Sequence, residues 1–173
     1  HPDFEQPFVV KTDSSKTHVG AVLGQIQEGH FRVVEYASKK LNKDQRNWHM
    51  THLEGYSVVW ALAKWERYLE GRSDTKVYTD HKALTWLRYN KYNDCSGKLV
   101  RWFSFIDYFN IDLIFRRGVD NGDADALTRM YENEEDITWT EPHPDQDWMF
   151  DALIKKIPAR IKTVFELQYR GPK

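Results

Sequence analysis

Four carboxylates occur at positions where they could assemble into a site for a divalent cation. Asp13 in KTDSS and Asp80 in VYTDHKAL each follow a β-branched or aromatic run, which predicts that both lie at strand ends. Glu54 in THLEG and Asp125 in GDADALTR are predicted near the starts of helices. Because ligands of α/β folds collect at the carboxyl edge of the sheet, the four acids could meet there. Carboxylates are the ligands that Mg²⁺ prefers, so such a cluster predicts phosphodiester chemistry.

Each acid also has a purely structural explanation. Thr51 and Glu54 fit a capping box, in which Glu54 would only satisfy the start of a helix. Asp80 could cap the helix that follows it, Asp125 could complement a helix dipole, and Asp13 could cap a turn. The joint placement of all four at strand ends and helix starts favours the catalytic interpretation over these four separate ones.

The hydrophobic pattern predicts five strands and four helices. The strands are expected at 7–13, 18–25, 30–36, 76–79 and 111–115, and the helices at 51–69, 81–88, 98–109 and 121–129. A polar connector at 38–48 precedes the long helix. Three meander strands followed by alternating helices and strands predict an α/β fold with a five-stranded mixed sheet, in which three strands are antiparallel and two are parallel.

Composition is that of a globular chain that requires no disulfides. A length of 173 residues suits one domain with an extension, and 40% hydrophobic residues with seven Trp can form a core. The single cysteine, Cys95, excludes an internal disulfide framework and fits a reducing compartment. No signal peptide is visible, and no run approaches the ~20 apolar residues that a membrane span needs. Because the first residue is His1, we expect the chain to be cut from a longer polypeptide.

Charge is distributed unevenly along the chain, although the net charge is −1. Residues 132–151 hold eight acids and no Lys or Arg, whereas residues 152–173 hold six Lys and Arg and one acid, Glu166. This break predicts a domain at 1–131, followed at 132–173 by an acidic linker and a basic amphipathic segment. We expect this tail to dock through apolar anchors at Trp148, Phe150 and Leu153.

Six blocks of sequence occur in register over residues 2–130: TDSSKTHVGAVLGQ, EYASKKLNKDQRNW, LEGYSVVWALAKWERYLEGR, VYTDHKALTWL, KLVRWFSFIDYFNIDLIFRRG and NGDADALTR. In this order and spacing they resemble the ribonuclease H domain of gypsy-type LTR-retrotransposon Pol polyproteins. The resemblance implies a ribonuclease H-like sheet flanked by helices. It also implies endonucleolytic cleavage of the RNA strand of RNA/DNA hybrids during reverse transcription.

The resemblance places the family's four metal-binding acids on Asp13, Glu54, Asp80 and Asp125. It implies two Mg²⁺ ions, for which Mn²⁺ could substitute, with Asp13 as the bridging ligand. Glu54 is then assigned to the leaving-group side, and Asp80 and Asp125 to the nucleophile side. Asp123 competes with Asp125 for this role, although the ADAL register favours Asp125.

One departure from the family pattern concerns the loop before the last helix. Cellular relatives often place a His there that aids product release, and RRGVDNGD has none. Arg116 or Arg117 would have to substitute, or the step would be slower.

Recognition of a hybrid is expected to rest on shape, phosphates and 2′-hydroxyls. The candidate contacts flank the predicted active helices and are Lys39, Lys40, Arg46, Asn47, Trp48, Arg88, Lys91, Lys98 and Arg101. For any single Lys or Arg among them, a solvated surface position is the competing interpretation.

The same family context implies an upstream reverse transcriptase, joined at HPDFEQPF, and a downstream integrase. It implies an intracellular location, in a cytoplasmic virus-like particle or in the nucleus. The rival function is a domesticated or auxiliary domain that binds proteins or nucleic acids without cutting. An integrase core on the same fold is a third alternative, but its motif spacing is missing here.

Overall fold

The structure is a computed structural model of the chain, and it describes residues 1–90 and 97–130. The predictions that concern Lys91, Cys95 and the tail at 132–173 therefore lie outside the described residues. Within the described ranges, no helix combines the length and apolar character that a membrane span requires.

A single mixed sheet of five strands organises the described residues, in the order β3-β2-β1-β4-β5. The strands are β1 (Phe8–Ser14), β2 (His18–Gln27), β3 (His30–Lys40), β4 (Lys76–Thr79) and β5 (Asp112–Phe115). β1 pairs with β2 and β2 with β3 in antiparallel fashion, whereas β1–β4 and β4–β5 are parallel pairs. This confirms the predicted five-stranded mixed sheet.

In the part of the chain that the structure describes, six helices and one 3₁₀ turn connect or follow these strands. The helices are α1 (Lys43–Arg46), α2 (Met50–Lys64), α3 (Glu66–Leu69), α4 (Lys82–Tyr89), α5 (Gly97–Tyr108) and α6 (Gly122–Arg129), and the 3₁₀ turn is Gly118–Asp120. The helix predicted at 121–129 therefore begins at Gly122, with Asn121 between it and this turn.

The polar connector predicted at 38–48 was wrong in two respects. Pairing with β2 extends β3 to Lys40, since Lys39 lies opposite Val19 and Lys40 opposite His18. The remainder forms the short helix α1, which a capping box between Asn42 and Gln45 starts. The polar side chains of this segment gave no local signal for the end of β3, which pairing with β2 stabilises.

The long helix predicted at 51–69 is also interrupted. Trp65, at φ −107° and ψ 22°, leaves the helical conformation between α2 and α3. Trp65 and Leu69 are both fully buried after this break. Core packing at the end of α2 thus overrides the high helix propensity of the segment.

Helices α2 and α6 lie on opposite faces of β1. Successive strand residues point to opposite faces, and Ser14 donates to Glu54 on α2 while its neighbour Asp13 accepts from Thr128 on α6. Gly20 on β2 permits the close approach of α6, because a Cβ there would lie 2.8 Å from the Ala124 carbonyl oxygen. The end of β1 is therefore enclosed from both sides.

Candidate functional site

Three carboxylates gather at the carboxyl edge of the sheet. Asp13 is the penultimate residue of β1, Asp80 follows β4, and Glu54 lies in the first part of α2. Because β1 and β4 are parallel neighbours, their carboxyl ends meet at this edge. Ligand oxygens of all three side chains lie within 4.8 Å of one another.

Glu54 is held by hydroxyl groups. Its side chain is buried, and it accepts hydrogen bonds from Ser14 Oγ at 2.5 Å and from Thr79 Oγ1 at 3.5 Å. The N-cap of α2 is His49, whose ring accepts from the Thr51 backbone N–H at 3.3 Å. The capping-box interpretation of Glu54 is therefore wrong.

Asp13 and Asp80 occupy different environments. Asp13 is buried and accepts from Thr128 Oγ1 at 2.9 Å. Asp80 is partly buried, and it does not cap α4, because the residue at the N-cap is His81. The backbone N–H of His81 instead donates to Thr79 Oγ1 at 3.2 Å. The set thus combines two buried acids with one that is more accessible.

The electrostatics of the site favour the protonated forms of Glu54 and Asp13 when no cation is bound. Burial, together with the charges of Asp13 and Asp80, raises the pKa of Glu54 to about 8 against the lowering effect of the hydrogen bond from Ser14. Burial also raises the pKa of Asp13 to about 6, with contributions from Asp80 and Asp125. A bound cation would remove this repulsion and stabilise the ionised carboxylates.

The donor set fits Mg²⁺ on chemical grounds. The three clustered carboxylates offer hard oxygen ligands, and Mg²⁺ typically keeps several waters, so few protein ligands are required. The group found among the described residues contains no His or Cys, the ligands that zinc usually takes. Asp13, Glu54 and Asp80 are thus the residues that would hold the ion.

Asp125 and Asp123 differ in their partners. Asp125, in the first turn of α6, accepts from Arg129 Nε at 2.7 Å, and its charge raises the pKa of Asp13. Asp123 is paired with Lys11 Nζ at 2.6 Å. Asp125 therefore acts on Asp13 through its charge but is not one of the three acids whose oxygens lie within 4.8 Å of one another. Asp123 is instead paired with Lys11.

This difference leads to a first prediction. Asp125→Asn is expected to weaken Mg²⁺ binding and hybrid cleavage several-fold, because it removes a charge next to Asp13. Asp123→Asn should leave both nearly unchanged and lower only the melting temperature, since it breaks the pair with Lys11. Calorimetric Mg²⁺ titration and a cleavage time course check this, and the reverse order of effects would contradict it.

The loop after β5 touches the site through a glycine. A Cβ at Gly118 would lie 3.2 Å from Asp80 Oδ2, which is tighter than nearly all real contacts of this kind. The two arginines before it point elsewhere: Arg116 lies over the Tyr78 ring at 4.7 Å, and Arg117 pairs with Asp120 at 3.4 Å. The Arg117 side chain is 75% exposed, so it can still reach a ligand at the surface.

A second prediction tests this contact. Gly118→Ala is expected to displace Asp80 by a few tenths of an ångström and to weaken Mg²⁺ binding several-fold. Gly122→Ala is the matched control, because nothing lies within 4 Å of a Cβ there. Calorimetric titration of both variants with Mg²⁺ is the measurement, and equal affinities would show that the loop tolerates the methyl group.

Three of the candidate nucleic-acid contacts come together on an aromatic cluster. Lys39 Nζ donates to Tyr56 Oη at 2.7 Å, and Lys98 Nζ lies 3.6 Å from the centre of the Trp48 ring. Trp48 packs against Tyr56 and Trp102 with ring centres 5.6 and 5.7 Å apart. This cationic aromatic cluster (Lys39, Trp48, Tyr56, Lys98 and Trp102) brings β3, α2 and α5 together.

Arg88 has a structural role. Its guanidinium donates to Asp107 Oδ1 at 2.9 and 3.1 Å and to the Ile111 carbonyl oxygen at 3.1 Å. These bonds join α4 to the end of α5 and the start of β5. None of these partners belongs to the cationic aromatic cluster.

The other candidates are local or exposed. Arg46 Nε donates to the Leu41 carbonyl oxygen at 3.0 Å, and Asn47 Nδ2 donates to that of Lys43 at 3.1 Å. These two side chains stabilise α1 and its entry. The side chains of Lys40 and Arg101 are exposed.

Sequence reasoning missed the hydroxyl groups that hold the acids. Ser14 and Thr79 are direct neighbours of Asp13 and Asp80 in the chain, yet both bind Glu54. Their proximity to two candidate acids was the available signal. Thr128, which binds Asp13, lies 115 positions further along the chain and had no comparable signal.

Solved structures support the fold. The foamy viral protease-reverse transcriptase in complex with an RNA/DNA hybrid matches with a TM-score of 0.53 at 18% identity, over 82% of this chain and 18% of that one. LC11-RNase H1, also solved with an RNA/DNA hybrid, matches with a TM-score of 0.54 at 14% identity, over 69% of this chain and 92% of that one. At these identities the likeness concerns the fold alone.

Similarity of sequence shows the family. Residues 3–109 match the RNase H-like domain found in reverse transcriptase, a range that includes three of the four acids and ends before Asp125. The retrovirus-related Pol polyprotein from transposon opus of Drosophila melanogaster is 39% identical over 129 residues, 75% of this chain. That from transposon gypsy of the same organism is 35% identical over 130 residues, also 75% of this chain. The chain spans only 13% and 12% of these two relatives. It belongs to the RNase H-like domains of reverse transcriptases, among those of gypsy-type Pol polyproteins.

Proposed function

We propose that this chain is a metal-dependent endonuclease that hydrolyses the RNA strand of RNA/DNA hybrids during reverse transcription of an LTR retrotransposon. The observation that carries the proposal is the group formed by Asp13, Glu54 and Asp80 at the sheet edge. Two proteins with the same fold, the foamy viral enzyme and LC11-RNase H1, were solved with RNA/DNA hybrids. Membership in the reverse-transcriptase family supports the same substrate.

The protein's part in the reaction is to hold ionised carboxylates at a fixed place. Bound Mg²⁺, or Mn²⁺ in its place, would orient the attacking water and stabilise the leaving oxygen in an in-line displacement. Asp13, Glu54 and Asp80 would hold two such ions, with Asp125 beside them. Thr128 orients the Asp13 carboxylate, and Ser14 orients that of Glu54. These bonds fix the acids before the substrate arrives, which lowers the reorganisation required in the transition state.

The cationic aromatic cluster is our candidate for contact with the nucleic acid. Lys39 and Lys98 are held on aromatic rings, which restricts their ammonium groups before phosphate binds. Such contacts depend on charge and shape and read little base sequence.

The proposal includes the cellular context. The upstream reverse transcriptase and the downstream integrase of the same polyprotein are the expected partners. The expected location is intracellular, in a virus-like particle or in the nucleus.

The test is a cleavage assay on an end-labelled RNA/DNA hybrid, with double-stranded DNA and double-stranded RNA of the same sequence as controls. We expect Mg²⁺-dependent internal cuts in the RNA strand of the hybrid alone, and none in EDTA. Binding of the hybrid without any cut, in either Mg²⁺ or Mn²⁺, would overturn the proposal in favour of a non-catalytic binding domain.

A further inference from the structure

One hydrogen bond joins the two elements that carry Glu54 and Asp80. His81 Nε2 and Thr51 Oγ1 are 3.0 Å apart, although the residues are 30 positions apart in the chain. Thr51 lies one helical turn before Glu54 on α2, and His81 directly follows Asp80. The bond therefore connects the segments from which two of the three clustered acids project.

The His81 side chain has no other evident task in the described part of the chain. It occupies the N-cap of α4 but makes no side-chain capping bond there. It does not belong to the group of three carboxylates that could hold a metal. Its ring points instead to Thr51, at the start of α2.

The backbone of His81 provides a second hydrogen-bonded connection to α2, through Thr79 and Glu54. Its N–H donates to Thr79 Oγ1 at 3.2 Å, and Thr79 Oγ1 donates to Glu54 Oε2 at 3.5 Å. Glu54 and Thr51 lie one turn apart on α2, so the two connections meet on the same helix. The residue after Asp80 is thus bound to α2 on two routes, one through its ring and one through its backbone.

A connection of this kind counteracts the repulsion within the site. Clustered carboxylates repel one another when ionised, and this repulsion drives the two segments apart. The route through Thr79 and Glu54 ends on one of the repelling carboxylates, whereas the bond between His81 and Thr51 involves none of them. The bond uses an imidazole nitrogen and a hydroxyl group, so it occupies none of the carboxylate oxygens that would hold the cation.

We propose that His81 is a positioning residue, which holds the Glu54-bearing end of α2 at a fixed distance from Asp80 through its bond to Thr51. This inference rests on the proposed function, because the spacing of the carboxylates matters only if they bind a cation. His81 acts through Thr51 and does not contact the cation or the substrate.

The test is a double-mutant cycle of His81→Ala and Thr51→Val, measured on Mg²⁺ affinity by calorimetry and on hybrid cleavage. We expect each single variant to bind Mg²⁺ about fivefold more weakly, the factor that one typical hydrogen bond contributes. The double variant should be no weaker than either single one, because both changes remove the same bond. At saturating Mg²⁺, the kcat of each variant should return to the wild-type value. Its KM for the hybrid should stay near that of the wild type.

Conservative variants and a matched control separate positioning from general destabilisation. Thr51→Ser retains the hydroxyl and should restore the wild-type Mg²⁺ affinity even if Thr51→Val lowers the melting temperature. His52→Ala is the control, because this neighbouring histidine packs on Trp102 with ring centres 6.1 Å apart. It takes no part in the hydrogen bonds that link His81, Thr79, Glu54 and Thr51. This variant should leave Mg²⁺ affinity unchanged.

Three outcomes would overturn the inference. They are unchanged Mg²⁺ affinity in His81→Ala, additive losses in the double variant, and a reduced number of bound ions, which would make His81 a ligand. Failure of the proposed function has a different signature, since the wild-type chain itself would then not cut the hybrid.

Discussion

Asp80→Asn and Asp13→Asn are each expected to reduce Mg²⁺-dependent hybrid cleavage by about 1,000-fold or more, with the fold retained. Removal of a ligand charge forfeits several kcal/mol of transition-state stabilisation, and each ~1.4 kcal/mol is worth a factor of ten. The two side chains end neighbouring parallel strands, and their oxygens lie in the 4.8 Å group with Glu54. Neither change alters the volume of the side chain appreciably.

The experiment compares single-turnover cleavage by both variants with hybrid binding in Ca²⁺, which is expected to survive. Asp112→Asn is the matched control, because this exposed acid lies opposite Lys76 at the start of β4, at the other edge of the sheet. It should cut at the wild-type rate. Undiminished turnover by Asp80→Asn would refute its assignment as a metal ligand.

Glu54→Gln is expected to abolish cleavage and, without metal, to stabilise the protein at pH 8. Burial, followed by the charges of Asp13 and Asp80, raises the pKa of Glu54 from 4.5 to about 8 in the folded state. Gln has nearly the same shape and no charge, so its side-chain oxygen can accept the hydrogen bond from Ser14 without repelling the other acids. Loss of activity would thus be accompanied by a gain in stability.

The pH dependence follows from the direction of this shift. In the unfolded chain Glu54 ionises near 4.5, whereas the folded protein without metal holds the proton up to about pH 8. The stability from this proton is complete below pH 4.5 and decreases as the pH rises through 8. At pH 8 the free energy of unfolding should therefore be lower with Glu54 than with Gln by on the order of 2 kcal/mol or more. Asp13, whose pKa rises from 3.8 to about 6, adds a smaller loss between those values in both proteins.

Thermal melts in EDTA at pH 5 and pH 8 measure the effect. The wild-type melting temperature should fall more between the two pH values than that of Glu54→Gln, and Mg²⁺ at pH 8 should stabilise the wild type only. Glu28→Gln, in the exposed β2–β3 turn, is the control and should follow the wild type. A Glu54→Gln variant that cuts hybrids normally would show that Glu54 is not a ligand.

Much of the fold could be predicted because its signals are local. The β-branched run of β4 predicted its bounds at 76–79, and the two strands predicted at 18–25 and 30–36 pair as the β2–β3 hairpin. Two of the errors, the break at Trp65 and the strand residues at Lys39 and Lys40, arise where packing or strand pairing overrides local preference. The third, the short helix α1, had a local signal in the capping box of Asn42 and Gln45.

Residue types and their order along the chain indicated four acids, a divalent cation and a mixed sheet, because strand and helix periodicity is a local property. The choice among acids depended on partners distant in the chain: Lys11 pairs with Asp123, and Thr128 with Asp13. The same holds for the bond between His81 and Thr51. Hydrogen bonds and ion pairs require atoms within about 3 Å, and for residues 30 to 115 positions apart only the folded chain provides that proximity.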